Sequence, residues 1–198
     1  SDGLKEITEA GLILNSGKNI PAEMVILAIG VRPDTDFLKQ SGIKLSDRGE
    51  ILTNEFMQTN IPDIYACGDN VAVTDFVSGQ NVMIALAGPA NRQGRLIADH
   101  IAGRSYPYKA TQGTGIVKVF NLTAAFTGNN EKQLRRLNIP YEKMVVTSAS
   151  HAGYYPDAQE LTLKVLYDKD GKILGAQAVG TQGVDKRIDV IATVMRLN

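Results

Sequence analysis

Apolar and polar positions change their period several times along the first hundred residues. Residues 10–15 (AGLILN) and 24–30 (MVILAIG) are apolar runs of strand length, separated by the turn cluster Ser16-Gly17-Lys18-Asn19. The second run is continuously apolar, the pattern of a strand covered on both faces. GVRPD ends it, because Gly30 permits unusual backbone angles while Pro33 fixes φ and lacks an N–H. Residues 35–41 then predict a short helix closed by Gly42, and a hairpin around Asp47-Arg48-Gly49 leads into Ile51-Leu52-Thr53. A turn on Pro62-Asp63 precedes an expected buried strand from Ile64 to Cys67. From Leu86 to Ala102 the period becomes helical, with Ala90, Gly94, Ile97, Ala98 and Ile101 on one face and Pro89 tolerated in the first turn.

After AGRSYPYK, which reads as a domain boundary, the grammar changes. Strand-like pieces at 115–120, 123–127, 142–149, 160–167 and 172–180 surround one short helix near 131–137. Asp168-Lys169-Asp170-Gly171 is a strong hairpin signal between the last two strands. The fold class expected is α/β up to about residue 106, followed by an antiparallel-sheet α+β module.

Composition narrows the partners more than the fold. The 198 residues are 43% hydrophobic and 21% charged, enough for one or two modest cores. Lys+Arg and Asp+Glu both count 21, with no long run of either sign, so nucleic acid and membrane are not expected as partners. The longest apolar stretch, Met24 to Ile29, is far short of the roughly 20 residues that span a bilayer. A single Cys excludes an intrachain disulfide, and with no secretory pattern at the start a reducing cytoplasm is the expected location. No metal site is expected. The sequence begins without Met and stops at Arg196-Leu197-Asn198 inside a helical pattern, which points to a fragment.

Candidate chemistry concentrates in TNIPDIYACGDN, residues 59–70. A carboxylate just past the carboxyl end of a strand, after a Gly that lets backbone approach closely, is placed where open α/β sheets bind ligands. On that reading Gly68 clears space and Asp69 accepts hydrogen bonds from ligand hydroxyls; the alternative is a turn Asp satisfied by neighbouring amides. Cys67 has no basic neighbour to lower its pKa and reads as a small buried hydrophobe. The helix starting at Leu86 offers orphan N–H groups and the positive end of its dipole. Arg92 and Arg95 read as a solvated face, as does DKRID (185–189) with its mixed charges. Two tyrosines in HAGYYP, Tyr154 and Tyr155, bring phenol donors to a loop; His151 beside them reads as a surface histidine.

Taken in order, these segments resemble the pyridine nucleotide-disulfide oxidoreductases. TNIPDIYACGDN is similar to the family's second FAD fingerprint, IPAEMVILAIGVRPD to the passage from the NAD(P)H-binding domain back into the FAD domain, and ALAGPANRQGRLIADHIAG to the helix facing the pyrimidine edge of the flavin. GTGIVKVFNLTAAFTG, HAGYYPDA and GVDKRIDV resemble the dimerisation domain of the coenzyme A disulfide reductase branch. The resemblance implies three segments: 1–33 as the end of an NAD(P)H-binding domain, 34–106 as the carboxyl-terminal part of a Rossmann-like FAD domain, and 107–198 as a dimerisation domain.

The resemblance also assigns roles. Asp69 would bind the ribitol of FAD, and the backbones of Leu86, Ala87 and Gly88 would approach the flavin N1 and O2 region, where reduced flavin gathers negative charge. Tyr154 or Tyr155 would reach across a homodimer to the partner's flavin site and hydrogen-bond a departing thiolate. The implied parent activity passes hydride from NAD(P)H to FAD and then electrons to coenzyme A disulfide or another small disulfide. The NADH oxidase and peroxidase branch is the rival enzyme reading, and an inert dimerisation module is the rival for the isolated chain. The family's redox Cys lies near its amino terminus beside a Gly-x-Gly-x-x-Gly loop; these 198 residues contain neither, so Cys67 is expected to be a bystander and the chain alone inactive.

Overall fold

A three-stranded antiparallel sheet opens the chain, with β1 (Leu4–Thr8), β2 (Gly11–Leu14) and β3 (Asn19–Pro21) in sequence order. The computed structural model describes residues 2–197. Gly17, at φ +86°, makes the β2–β3 turn: its N–H donates to the Leu14 carbonyl at 2.9 Å, and the Leu14 N–H to Lys18 at 3.0 Å. Residues 10–15 pair with β1 on one side and the short β3 on the other, and β1 carried no clear apolar signal.

Residues 24–30 are not the buried strand expected of them. Met24 is 79% exposed and Ile29 84%, and no strand is formed. A strand needs a ladder partner for its backbone and a covering layer for its side chains. Among the described residues nothing hydrogen-bonds to this run. The chain up to Arg32 forms one compact unit and the chain from Pro33 a second.

The second unit begins irregularly. Asp36–Leu38 is a 3₁₀ turn, where a short helix was expected, and Gly42 follows at φ +81°. The hairpin at Asp47-Arg48-Gly49 is present: the Gly49 N–H donates to Ser46 at 3.0 Å, and Leu45 bridges Ile51. Residues 64–67, by contrast, make a single bridge, Gln58 to Tyr65, and both Ile64 and Cys67 are exposed. The reason lies in the opposing segment. Met57 is buried in a left-handed conformation (φ +61°), and a ladder cannot continue through it. A two-residue hairpin, β4 (Val73–Thr74) with β5 (Asn81–Val82), leads into helix α1 (Ala87–Ile101).

Beyond α1 the expected module is found with strand bounds close to those predicted. Strands β6 (Gly115–Val119), β7 (Leu122–Gly128), β8 (Glu142–Ala149), β9 (Glu160–Tyr167) and β10 (Ile173–Gly180) form one antiparallel sheet in the order β6-β7-β10-β9-β8. Helix α2 (Glu131–Arg136) starts with a capping box, Asn130 and Gln133 satisfying each other's backbone N–H. Helix α3 (Val184–Leu197) covers one sheet face, packing Val184 and Ile188 on Ala125, Leu161, Ala176 and Ala178. Each large aliphatic side chain buried there contributes about 1.5–3 kcal/mol.

Strand alternation sends the other set of side chains to the opposite face. Leu134 of α2 covers one end of that face by packing on Leu166 and Leu174. Elsewhere Val117, Val119, Leu122, Phe126, Val145 and Val179 stand exposed on it.

The sheet module is tied to the preceding segment by polar contacts. Gln112 Nε2 donates to the Ala192 carbonyl at 3.0 Å and to Thr127 Oγ1 at 2.8 Å, and the Arg196 guanidinium lies 4.7 Å from the Phe76 ring centre. Among the described residues no helix is long and apolar enough to cross a membrane.

Candidate functional site

The Cys67-Gly68-Asp69 turn lies against α1. Gly68 has φ +90°, a conformation that a β-carbon would strain, and a Cβ built there would stand 4.0 Å from that of Ala90. Its N–H donates to Gln93 Oε1 at 2.7 Å. Gln93 is 2% exposed and is the buried residue of the helix, so the inner face of α1 centres on a polar side chain rather than on the apolar row expected from its period. Of that row, Ala98 and Ile101 are exposed.

Asp69 is exposed, and its carboxylate has no hydrogen-bond partner among the described residues. The neighbouring amides do not satisfy it: Val71 N–H goes to the Gly68 carbonyl at 3.4 Å and Ile51 N–H to that of Asn70 at 2.8 Å. An acceptor-only group is thus presented to whatever lies beyond the turn.

The start of α1 presents the complementary character. Leu86 occupies the N-cap in extended conformation, with no side-chain capping bond, and Pro89 has no N–H to offer. Ala87 and Gly88 are exposed, and nothing lies within 4 Å of a Cβ built on Gly88. Beside this start a cavity of about 710 Å³ opens, with Gly88, Pro89 and Arg92 on one wall and Asp189, Thr193 and Arg196 on another. Uncapped donors at α1, open space over Gly88 and a free carboxylate at Asp69 are what a flavin fits: an electron-rich ring edge at the donors, polyol hydroxyls at the carboxylate. The residues present therefore suit the implied cofactor.

Cys67 departs from expectation in being exposed rather than buried. The broken ladder at Met57 leaves residues 64–67 without a covering strand, which accounts for the difference.

The tyrosine loop is built separately. Tyr154 is 91% exposed with no partner among the described residues, whereas Tyr155 turns its ring edge toward His151 at 5.9 Å and its N–H toward the Ala152 carbonyl. His151 braces the loop at both ring nitrogens, Nδ1 at 3.1 Å from Ser150 Oγ and Nε2 at 3.0 Å from the Pro156 carbonyl. From α3, Arg187 donates to the Ser150 carbonyl at 2.6 Å and to that of Gly183 at 3.2 Å, so DKRID is more than a solvated face. No hydrogen bond or ring contact among the described residues joins this loop to residues 68–69 or 86–88.

Three of these supports escaped the sequence reading. Gln93 sat inside an apolar period that drew attention to its neighbours. Arg187 acts on the Ser150 carbonyl, 37 residues away and brought close by the fold, while His151 acts within its own loop on Ser150 and Pro156, where no motif marks it. The same holds for Glu131, whose carboxylate collects Tyr141 Oη (2.9 Å), Arg135 (2.8 Å), Lys164 (3.1 Å) and Lys143 (3.4 Å). Hydrogen bonds from Tyr141 and Lys164, against the opposing effect of burial, lower its pKa to about 2.

Comparison with known proteins agrees with this architecture. Residues 2–94 match the pyridine nucleotide-disulphide oxidoreductase family and residues 114–198 its dimerisation domain. A coenzyme A disulfide reductase of Staphylococcus epidermidis is 39% identical over 187 residues, 92% of this chain and 42% of that protein. The crystal structure of reduced Bacillus anthracis CoADR-RHD superposes with a TM-score of 0.91 at 52% identity, covering all of this chain and 36% of that one. An NAD-dependent persulfide reductase from A. fulgidus gives 0.90 at 33%, covering all of this chain and 37% of that one. The chain thus spans about two fifths of the length of the curated relatives it matches. With both halves matched in order and the fold shared end to end, the chain belongs to the pyridine nucleotide-disulphide oxidoreductases, a family of FAD- and NAD(P)H-dependent enzymes.

Proposed function

We propose that this chain is the flavin-edge and dimerisation portion of an FAD-dependent disulfide reductase acting on coenzyme A disulfide or a similar small disulfide, in a cytoplasmic homodimer. The observation that carries the reading is the pairing of a free Asp69 carboxylate with the uncapped start of α1, joined by the Gly68–Gln93 contact. Asp69 would accept hydrogen bonds from the ribitol hydroxyls. The Leu86 N–H is taken by the Ile84 carbonyl at 3.0 Å, so Leu86 would offer only its backbone surface, while Ala87 and Gly88 would present N–H groups and the helix dipole to the pyrimidine edge, favouring its reduced, more negative state. When bound, the flavin supplies the two-electron relay between a reduced nicotinamide and the disulfide.

Tyr154 is the tyrosine we assign to the chemistry. Its phenol is free to donate a hydrogen bond to a departing thiolate across the dimer, while Tyr155 packs on His151 and shapes the loop. The exposed apolar face of the five-stranded sheet supports association, because a patch carrying Val117, Leu122, Phe126 and Val179 is stabilised by cover.

The test is steady-state kinetics of the complete polypeptide with NADH or NADPH, comparing coenzyme A disulfide with oxygen as acceptor. Disulfide turnover that falls at least tenfold in Tyr154→Phe and little in Tyr155→Phe supports the assignment. Turnover with oxygen alone would place the enzyme in the oxidase branch instead. The isolated 198 residues are expected to purify colourless, since the family's Gly-rich loops, which supply its pyrophosphate site, are not among them.

A further inference from the structure

We infer that Gln93 is a positioning residue for the flavin site: by accepting the Gly68 N–H it fixes the Asp69 turn against α1, and so sets the spacing between the two groups that grip the cofactor. The inference rests on the flavin reading above.

Two anchors grip the cofactor in this reading. Asp69 and Ala87, the first residue of α1, are 18 residues apart in sequence and lie on separate segments, so a ligand held by both senses any drift between them. Binding geometry tolerates little of it, and a site whose supports are loose loses affinity without losing its contact residues. Residues 64–67 supply little such support beside Asp69: they make one bridge and then leave the ladder, and the ring contact of Tyr65 with His100, at 5.8 Å, lies farther along α1. Beside Asp69 the turn is joined to the helix by a hydrogen bond, Gly68 N–H to Gln93 Oε1 at 2.7 Å.

Carbonyls in the middle of α1 point along the axis and already accept the helix's own i to i+4 bonds, so a side chain is better aimed at the Gly68 N–H on its flank. Gln93 lies in the second turn, about 9 Å along the axis from Ala87, and is buried, so its amide competes little with water. Burial makes the bond directional and costly to lose, since the Gly68 donor would be left beside an apolar group. Aromatic packing steadies the same segment further along the helix: His100 stacks on Phe56 at 4.8 Å and takes the edge of Tyr65 at 5.8 Å. The polar contact lies nearest to Asp69, and there it determines position.

The experiment is FAD titration of the apo form of the complete polypeptide, followed by quenching of flavin fluorescence, with visible spectra of the loaded protein. Gln93→Leu removes the acceptor at similar volume; Gln93→Glu keeps an acceptor at the same reach; Arg95→Ala alters an exposed neighbour. The expected result is a Kd raised at least tenfold in Gln93→Leu with a shifted visible band, a Kd within threefold of wild type in Gln93→Glu, and no change in Arg95→Ala. If Gln93→Leu does not fold, Gln93→Glu decides: retained affinity supports the inference and a loss of tenfold or more overturns it. Equal affinity and spectrum in Gln93→Leu, even with a lower Tm, would reduce Gln93 to a fold stabiliser and overturn the inference alone. Wild-type protein that takes up no FAD would overturn the flavin reading itself.

Discussion

Asn129 Nδ2 donates to Asp75 Oδ2 at 3.0 Å across 54 residues of sequence, joining the β4–β5 hairpin to the end of β7. Both residues are buried, and the same carboxylate oxygen accepts the Ser78 N–H at 2.8 Å and the Ser78 hydroxyl at 2.6 Å. A buried carboxylate is tolerable when donors surround it; removing it strands them.

Asp75→Ala is therefore expected to destabilise the chain by about 2–4 kcal/mol, more than a single lost hydrogen bond, because several donors lose their partner at once. Asn129→Ala should cost about 1–2 kcal/mol. The pair should be coupled by about 1 kcal/mol or more in a double-mutant cycle read by urea unfolding. Additive effects would mean that the hairpin docks on the sheet module independently of this contact.

Backbone proximity gives a sharper contrast between two glycines. A Cβ on Gly175 would collide with the Asn129 carbonyl oxygen and stand 2.8 Å from its nitrogen, at the irregular point where β10 leaves its register with β9. Gly175→Ala should cost about 2 kcal/mol or more, since neither backbone can yield without breaking the sheet. Gly94, in the interior of α1, has nothing within 4 Å of a built Cβ. Gly94→Ala should stabilise by about 0.5–1 kcal/mol through helix propensity and unfolded-state entropy. Thermal unfolding of the two variants side by side reads both signs.

What the sequence made legible follows from which interactions are local. Strands β6 to β10 were readable because alternation and the Asp168–Gly171 turn are local signals: Asp168 Oδ1 takes the N–H groups of Asp170 and Lys172, and Gly171 sits at φ +82°. The site residues Gly68 and Asp69 stood out as a glycine allowing close backbone approach followed by an acid, and the structure adds a positive φ of 90° at Gly68. The runs at 24–30 and 64–67 misled because apolar content marks a segment as fit for burial but says nothing of whether a partner strand is present. Gln93 and Arg187 were invisible because each acts on a backbone group remote in sequence, 25 and 37 residues away.

Glu131 predicts how the sheet module responds to acid. Its folded pKa, about 2, lies below the ordinary carboxylate value of 4.5, so the charged form is favoured by folding. That contribution is fully present above about pH 4.5 and is lost as the pH falls toward 2. The stability difference between wild type and Glu131→Gln should therefore be constant from pH 5 to 7 and shrink steadily below 4.5, nearly vanishing at pH 2. Denaturation midpoints measured across that range test the sign; a difference that grew on acidification would mean that the carboxylate is destabilised in the fold.

Arg187 offers a test of how the tyrosine loop is held. Its guanidinium reaches the Ser150 carbonyl at 2.6 Å, while the Ser150 N–H pairs with the Gln159 carbonyl at 2.7 Å and the Ser150 hydroxyl takes the Gln159 N–H at 3.2 Å. Ser150 is thus fixed on both sides at the point where β8 opens into the loop. Arg187→Ala removes a charge-assisted bond from a partly buried acceptor, and about 1–2 kcal/mol of stability should go with it. Lys at the same position keeps the charge but not the planar fork that serves both Gly183 and Ser150, so it should recover only part of the loss. The local signature is amide hydrogen exchange over residues 151–158, which should quicken in Arg187→Ala more than exchange in β9 and β10 does. Equal quickening throughout would show that Arg187 stabilises the whole sheet and leaves the position of Tyr154 to other contacts.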